Sequence, residues 1–455
     1  MQRKVVIDVV GLTQRMISPE LMPQVSSWAK DQAQQSFAPE FPAVTTTAQS
    51  TYLTGVTPAD HGIVANGWYN REAAEVQFWK QSNHLVKAPK VWETAKANNP
   101  DFTCAKLFWW YNMYSSADFT MTPRPMYPAD GSKVFDIYTQ PMGLRESVKS
   151  TLGDFPFMNF WGPKSGLPSS QWIADAAQWT EAQYKPTLNL VYLPHLDYTH
   201  QSHGPNSPEG IQAIKEIDQV LGELIDFYTK RNVEIVLLSE YGISEVDTPI
   251  HINRLFREKG WITIKKELGL ELLDCGASQA FAVADHQVAH VYINNPAILD
   301  EVKDCLSNVS DIEFVVNNHE LYGTNTAGSQ RAGDLVVTAK EKAWFTYYYW
   351  EEDQPQLAPD FARCIDIHRK PGYDPCELFI DPELKFPLLK IATFLAKKKL
   401  GFRGLMDVIP LDATLVKGSH GRPNVNATEQ PVIIGGNTTV KTPYDVHNLI
   451  LEHYR

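Results

Sequence analysis

The sequence predicts an α/β fold built on a mostly parallel sheet, with a smaller α+β insertion late in the chain. Three observations carry this. Short apolar runs alternate with amphipathic helical patterns over most of the length. Two of those runs, Thr187–Leu193 and Val233–Ser239, flank a helical repeat of Ile211, Ile214, Ile217, Leu221, Leu224, Ile225 and Tyr228, which makes a βαβ unit. From about Trp261 to Pro382 the texture changes to short strands mixed with turns.

The elements follow in chain order. Lys4–Val10 is the first strand, because Val5, Val6 and Ile7 form an apolar run; it carries Asp8 to its carboxyl end, where open α/β sheets place their sites, and Gly11 lets the chain turn away. The stretch Phe41–Tyr69, FPAVTTTAQSTYLTGVTPADHGIVANGWY, opens with Pro42 and offers the consecutive hydroxyls of Thr45, Thr46 and Thr47. It runs as a helix to Thr54-Gly55, then through loops punctuated by Pro58, Asp60-His61-Gly62 and Asn66-Gly67. Both strands of the βαβ unit end in polar clusters, LPHLDYTHQSHGP and VLLSEYGIS. In the insertion FAVAD, AHVYINN, DLVVTA and WFTYYYW read as strands. There AVADHQVAHVYI sets Asp285-His286 at a strand end, and CIDIHRKPGYDP gathers Asp366, His368, Arg369, Lys370 and Asp374 in a loop suited to an anion. From Phe386 the chain returns to a helix-rich pattern and reaches the polar loop VKGSHGRP. The expected division is a core of residues 1–260 and 383–455 with a cap of 261–382.

Composition narrows the partners. With 43% hydrophobic residues the chain can bury a large core, while 12 Trp and an aromatic content of 11% supply rings for core or pocket. A net charge of −12 and a pI near 5.6 argue against a nucleic-acid polymer as partner. Five dispersed cysteines form no framework, so a reducing, cytoplasmic location is expected and the sequons at Asn308, Asn426 and Asn437 carry little weight. The first strand begins within three residues of Met1, leaving no room for a signal peptide, and no apolar run is long enough to span a bilayer; no membrane partner is expected. The oligomeric state is open.

A hydroxyl at a helix start beside a carboxylate able to hold a metal is the arrangement needed to attack phosphorus, since the ion lowers the alcohol's pKa and the helix end favours an anion. The motifs resemble the type I phosphodiesterase and nucleotide pyrophosphatase branch of the alkaline phosphatase superfamily: an Asp after the first strand, a Thr shortly after a proline, then T-G, P-x-x-H-G-I and an Asn. The resemblance implies an alkaline-phosphatase-like three-layer sandwich with a mostly parallel central sheet and a smaller α+β cap insertion. It implies Thr45 as nucleophile, Asn66 on a phosphoryl oxygen and two divalent metal ions. One ion falls to Asp8, Thr45, Glu240 and Tyr241, the other to Asp197, Gln201 and His420. Three of these depart from the family pattern: Glu240 stands for an Asp, and Tyr241 and Gln201 for histidines. The resulting oxygen-rich donor set tilts toward Mn, Mg or Fe over Zn. His200 is a reserve ligand; His286 and His368 are candidates to reach the metals or the substrate, and Arg369 and Lys370 to clamp a distal phosphate or carboxylate or to form a solvated charge run.

The family's aromatic wall after the nucleophile is Thr46 here, and Trp68, Trp109, Trp110, Tyr111, Phe160 and Trp161 are candidates to rebuild it. The function implied is a metal-dependent hydrolase of a small phosphorylated substrate, at a phosphodiester or pyrophosphate bond, through a phosphothreonine. The alternatives are a phosphonate hydrolase or phosphomonoesterase on the same site, and a non-catalytic metal- or ligand-binding protein with a degenerate site. Polar groups kept at Asp8, Thr45, Asn66, Asp197 and His420 argue for catalysis.

Overall fold

The computed structural model describes residues 1–454. Its central sheet has eight strands in the spatial order Gln34–Ser36, Val432–Ile434, Glu234–Leu238, Lys4–Val9, Leu188–Leu193, Cys104–Leu107, Phe119–Pro123 and Ile137–Gln140. The five strands from Glu234–Leu238 to Phe119–Pro123 are mutually parallel, and antiparallel pairs close both sides. Lys4–Val9 lies in the middle and is buried along its whole length, as the uninterrupted Val-Val-Ile run requires of a strand covered on both faces.

Helices cover that sheet. Pro208–Thr229 starts with Pro at its first position and with Ser207 Oγ accepting from Gly210 N at 2.9 Å, which satisfies an otherwise unpaired amide. Its buried stripe includes Ile214, Ile217, Leu221, Leu224, Ile225 and Tyr228, whereas Ile211 sits at the edge of the stripe and is partly exposed. The predicted strands shorten by a residue or so at their ends, to Leu188–Leu193 and Glu234–Leu238.

A second, antiparallel sheet runs Ala280–Asp285, Val288–Ile293, Leu335–Ala339 and Ile312–Asn317. One face packs on Phe256, Val302 and Leu306 of two helices, and the other puts Phe281, Val283 and Tyr292 against Tyr69 and Phe78. Of the four strands predicted in the insertion, WFTYYYW is the exception: only Ala343–Phe345 is strand, and Tyr347–Trp350 is irregular chain buried in a third apolar cluster. Burial of those rings produces the same apolar run that a strand would. The main cluster draws on Val5 to Ile243 and Val432 to Tyr454, while the second and third draw on Val246 to Val416.

Candidate active site

Three parallel strands deliver their carboxyl ends to one cleft. Asp8 is the penultimate residue of Lys4–Val9; Glu240 and Tyr241 follow Glu234–Leu238; Asp197 sits in the first turn of helix His195–His203, which leaves Leu188–Leu193 directly. Helix Thr45–Thr54 contributes Thr45 at its start, and every one of its ten residues is buried. Most of the hydroxyls of this buried helix are bonded: Ser50 and Thr54 Oγ donate to the carbonyls of Thr46 and Ser50, and Thr51 Oγ1 donates to Glu40, while Thr47 Oγ1 has no protein partner.

The contacts around Thr45 define the geometry. Thr45 Oγ1 and Tyr241 Oη are 2.8 Å apart, and the Tyr241 ring stacks on His420 at 3.7 Å and 10°. His420 Nδ1 lies 2.7 Å from the Ala43 carbonyl and must donate to it, so Nε2 keeps its lone pair, 3.8 Å from Asp197 Oδ1. Gln49, one turn after Thr45, uses its amide nitrogen on two carboxylates, Glu240 Oε1 at 2.7 Å and Asp8 Oδ2 at 3.3 Å, and its oxygen accepts from Trp110 N. Asn66 is held from both sides: its N–H and side-chain amide donate to Asp285 at 2.8 and 3.1 Å, and its oxygen accepts from Thr46 N. Thr46 Oγ1 donates away from the cleft to the Ala65 carbonyl.

Burial dominates the electrostatics. It pushes Asp8 and Asp197 each up to about 7, and drives Glu240 well above the carboxylate range, with the Asp8 charge beside it adding to the rise. The same burial holds His420 and His286 neutral. Among the described residues, Asp8 Oδ1, Glu240 Oε2, Asp197 Oδ1, Gln201 Nε2, His286 Nε2 and His420 Nε2 are buried polar atoms with no protein partner. Paired carboxylates and unprotonated imidazole nitrogens left open in this way fit divalent cations, which neutralise the charges and accept the lone pairs. A tighter trio, Glu234, Glu452 and His453, lies at the opposite ends of the strands, where the Lys4 ammonium already sits 3.0 Å from Glu452 and 3.6 Å from Glu234.

The family model for type I phosphodiesterase / nucleotide pyrophosphatase matches residues 4–374. This chain belongs to that family. An uncharacterized pyrophosphatase/phosphodiesterase of Schizosaccharomyces pombe is 28% identical over 265 residues, covering 55% of this chain and 46% of that protein. Mouse ectonucleotide pyrophosphatase/phosphodiesterase family member 1 is 22% identical over 221 residues, 46% of this chain and 20% of its own. The chain thus spans under half the length of these relatives. In fold it resembles murine ectonucleotide pyrophosphatase/phosphodiesterase 5 (TM-score 0.58, 15% identity, 100% and 95% of the two chains). It also resembles the phosphonoacetate hydrolase of Sinorhizobium meliloti (TM-score 0.63, 14% identity, 100% and 96%).

The remaining sequence candidates divide. His286 occupies the two-residue tip of the hairpin joining Ala280–Asp285 to Val288–Ile293, at φ 61°, and its ring lies 3.8 Å from His420 and 3.7 Å from Tyr373. Its Nδ1 donates to Asp285 at 2.7 Å, which fixes the open nitrogen as Nε2. Gln201 faces the cleft and accepts from Tyr373 Oη at 2.8 Å. His200 points elsewhere, buried beside Gly210, Arg15 and His195, with burial pushing it down to about 3. His368 contacts the Phe78 carbonyl; Arg369 pairs with Asp360; Lys370 is buried between Asp374 and Glu377, both at 2.7 Å. These last two cations are therefore already matched by carboxylates. Of the six aromatic candidates, Trp161 neighbours Tyr373 at 5.7 Å, while Trp109 and Phe160 pack with the main core. Gln49 and Tyr373 had no sequence-level role in the site, and Asp285 was read only as the strand-end neighbour of His286. Gln49 had a usable signal, its helical i+4 spacing from Thr45.

Proposed function

We propose that the chain hydrolyses a phosphodiester or pyrophosphate bond of a small phosphorylated substrate, with Thr45 as nucleophile. The observation that carries this reading is the Thr45 hydroxyl at a buried helix start, hydrogen-bonded to Tyr241, in a cleft where unpartnered donors from three strand ends meet. Two divalent ions, one for Asp8, Glu240, Tyr241 and Thr45 and one for Asp197, Gln201 and His420, would neutralise charge there and make the attacking alcohol and water more acidic. Tyr241 orients Thr45 Oγ1, which forms a bond to phosphorus in line with the departing oxygen as that bond breaks. Water then attacks the phosphothreonine, which for a diester still bears the ester group that did not leave, releases the monoester and restores the Thr45 hydroxyl. Asn66 spends one amide hydrogen on Asp285, so the other is available to the equatorial oxygen where negative charge accumulates.

Thr46 carries no ring and its hydroxyl is committed to Ala65, so no stacking wall stands at that position. The murine relative has been solved with AMP and the Sinorhizobium meliloti enzyme with phosphonoacetate. Nucleotide esters and phosphonates accordingly both belong in a substrate screen. Thr45→Ala should abolish turnover and the acid-stable phosphothreonine seen by mass spectrometry. Thr46→Ala should keep the chemistry and lose about 1 kcal/mol of stability with its hydrogen bond. Equal loss from Thr46→Ala alone would move the nucleophile by one residue. In the metal-stripped protein Mn or Mg should restore activity better than Zn, and Gln201→His should shift that preference toward Zn. Stoichiometric binding of two Zn ions with full activity in the unaltered protein would overturn the oxygen-rich assignment. A division into a core of residues 1–260 and 383–455 and a cap of 261–382 belongs to the same proposal; the apolar clusters support a cap beginning nearer Val246 and ending nearer Val416.

A further inference from the structure

We propose that the helix Pro387–Lys399 and the turn after it form a docking surface for an anionic lipid bilayer, on which the protein lies without crossing it. None of this helix's thirteen residues is buried. Its inward side is anchored lightly: Ile391 packs partly on the third apolar cluster, and Lys390 Nζ meets Asp407 at 2.8 Å. Its other side, the residue before it and the following turn present Phe386, Leu388, Leu389, Leu395, Leu400 and Phe402, each at least 54% exposed. A helix that turns its leucines outward leaves a contiguous apolar surface in water, and contiguous patches of this kind mark a contact.

Charge identifies the occupant. Between Leu384 and Met406 there is no acidic residue, while Lys385, Lys390, Lys397, Lys398, Lys399 and Arg403 all fall there, in a chain whose net charge is −12. Leucine and phenylalanine on the face and lysines at its border are the requirements of a helix lying at the headgroup level of an anionic membrane. The surface continues onto a neighbouring turn, where Arg403 donates to the Asp130 carbonyl at 3.0 Å and Lys133 stands over the half-exposed rings of Tyr127 and Phe135. Aromatic residues beside lysines suit the membrane–water boundary. A second copy of the chain fits less well, because a two-fold contact would pair two segments that both lack an acid for Lys397, Lys398 and Lys399. No helix of the described residues is long and apolar enough to cross a membrane. Absence of a span, on which the sequence reading rested, says nothing against a surface-lying helix.

The test is co-sedimentation of the full chain with vesicles of phosphatidylcholine alone and with phosphatidylglycerol added. Binding is expected to the anionic vesicles only, and to fall as salt is raised. Lys397→Glu/Lys398→Glu/Lys399→Glu should weaken it about tenfold or more, and Leu388→Asp/Leu395→Asp should do the same through lost apolar insertion. Both variants should keep the circular dichroism melting profile of the parent, since none of the five side chains is buried. The proposal is overturned if the parent fails to bind anionic vesicles at low salt, or binds both compositions equally. It is overturned equally if both variants bind as the parent does, or if the leucine variant instead dissociates a dimer of a chain that ignores vesicles.

Discussion

At the scale of single residues, the site depends on side chains that bond more than one partner. Gln49 is the clearest. Its amide nitrogen bridges Asp8 and Glu240, two carboxylates that burial would otherwise leave facing each other, and its oxygen is fixed by Trp110 N. Only a carboxamide supplies two donors and an acceptor at one point, and Gln reaches one methylene further than Asn. Gln49→Ala strips both carboxylates of a donor in a place water reaches poorly. It should cost about 1–3 kcal/mol of stability and weaken divalent-ion binding more than it alters KM. Urea melts and calorimetric metal titration would show it; unchanged metal affinity would reduce Gln49 to a packing residue. Gln201 is held similarly, through Tyr373, whose phenol takes one lone pair of the Gln201 oxygen and leaves the other for an ion.

At the scale of elements, the cleft depends on close backbone approach. The short strand Gly418–Ser419, which leads into His420, pairs with Ser244–Glu245 and lies against helix His195–His203, where Lys417 N donates to the Gln201 carbonyl at 2.9 Å. A Cβ on Gly418 would stand 2.1 Å from the His200 carbonyl oxygen. Gly418→Ala must therefore push the His420 segment off the helix that carries Asp197, at a cost of about 1–3 kcal/mol typical of overpacking. Loss of activity together with a lower melting temperature is the expected result; an unperturbed variant would mean that the helix and strand can slide apart freely. Strand ends were the legible part of this arrangement, because an apolar run that stops at Asp8, at Pro194 or at Ser239 announces both the strand and what it delivers. Less legible was the hairpin tip at His286. Its two strands could be read, but nothing in the sequence says that a turn from a separate sheet brings its ring to 3.8 Å from His420. Arg369 and Lys370 looked like anion binders for a related reason: the carboxylates that neutralise them, Asp360, Asp374 and Glu377, come within reach only through the fold of the loop.

At the scale of the whole molecule, two sheets meet over one cleft, and the folded chain keeps several ionisable groups away from water. Their titration sets a pH dependence whose sign differs by group. Asp8 and Asp197, raised to about 7, hold protons in the folded state that the unfolded chain has already released. Their contribution is full below the ordinary carboxylate range and is lost as pH rises through about 7. Buried histidines oppose this at lower pH: His61 and His200 near 3 and His290 near 4 stay neutral, so stability is lost as pH falls below the ordinary imidazole value. Lys106, lowered to about 7 by burial, carries a penalty that is full below 7 and relieved only as pH climbs toward the ordinary lysine value. Between the ordinary carboxylate range and about pH 7 the carboxylates lose stability while the histidines regain it, and above 7 Lys106 adds to it, so the carboxylates' share is read by comparing metal-loaded with metal-stripped protein. Divalent ions would take the place of those protons, so the gap between the urea midpoints of loaded and stripped protein should widen as pH rises toward about 7 and level off above it. Asp8→Asn should narrow the gap and flatten its pH dependence. A gap that stays constant from about pH 5 to 7, or that Asp8→Asn leaves unchanged, would separate Asp8 from metal binding altogether.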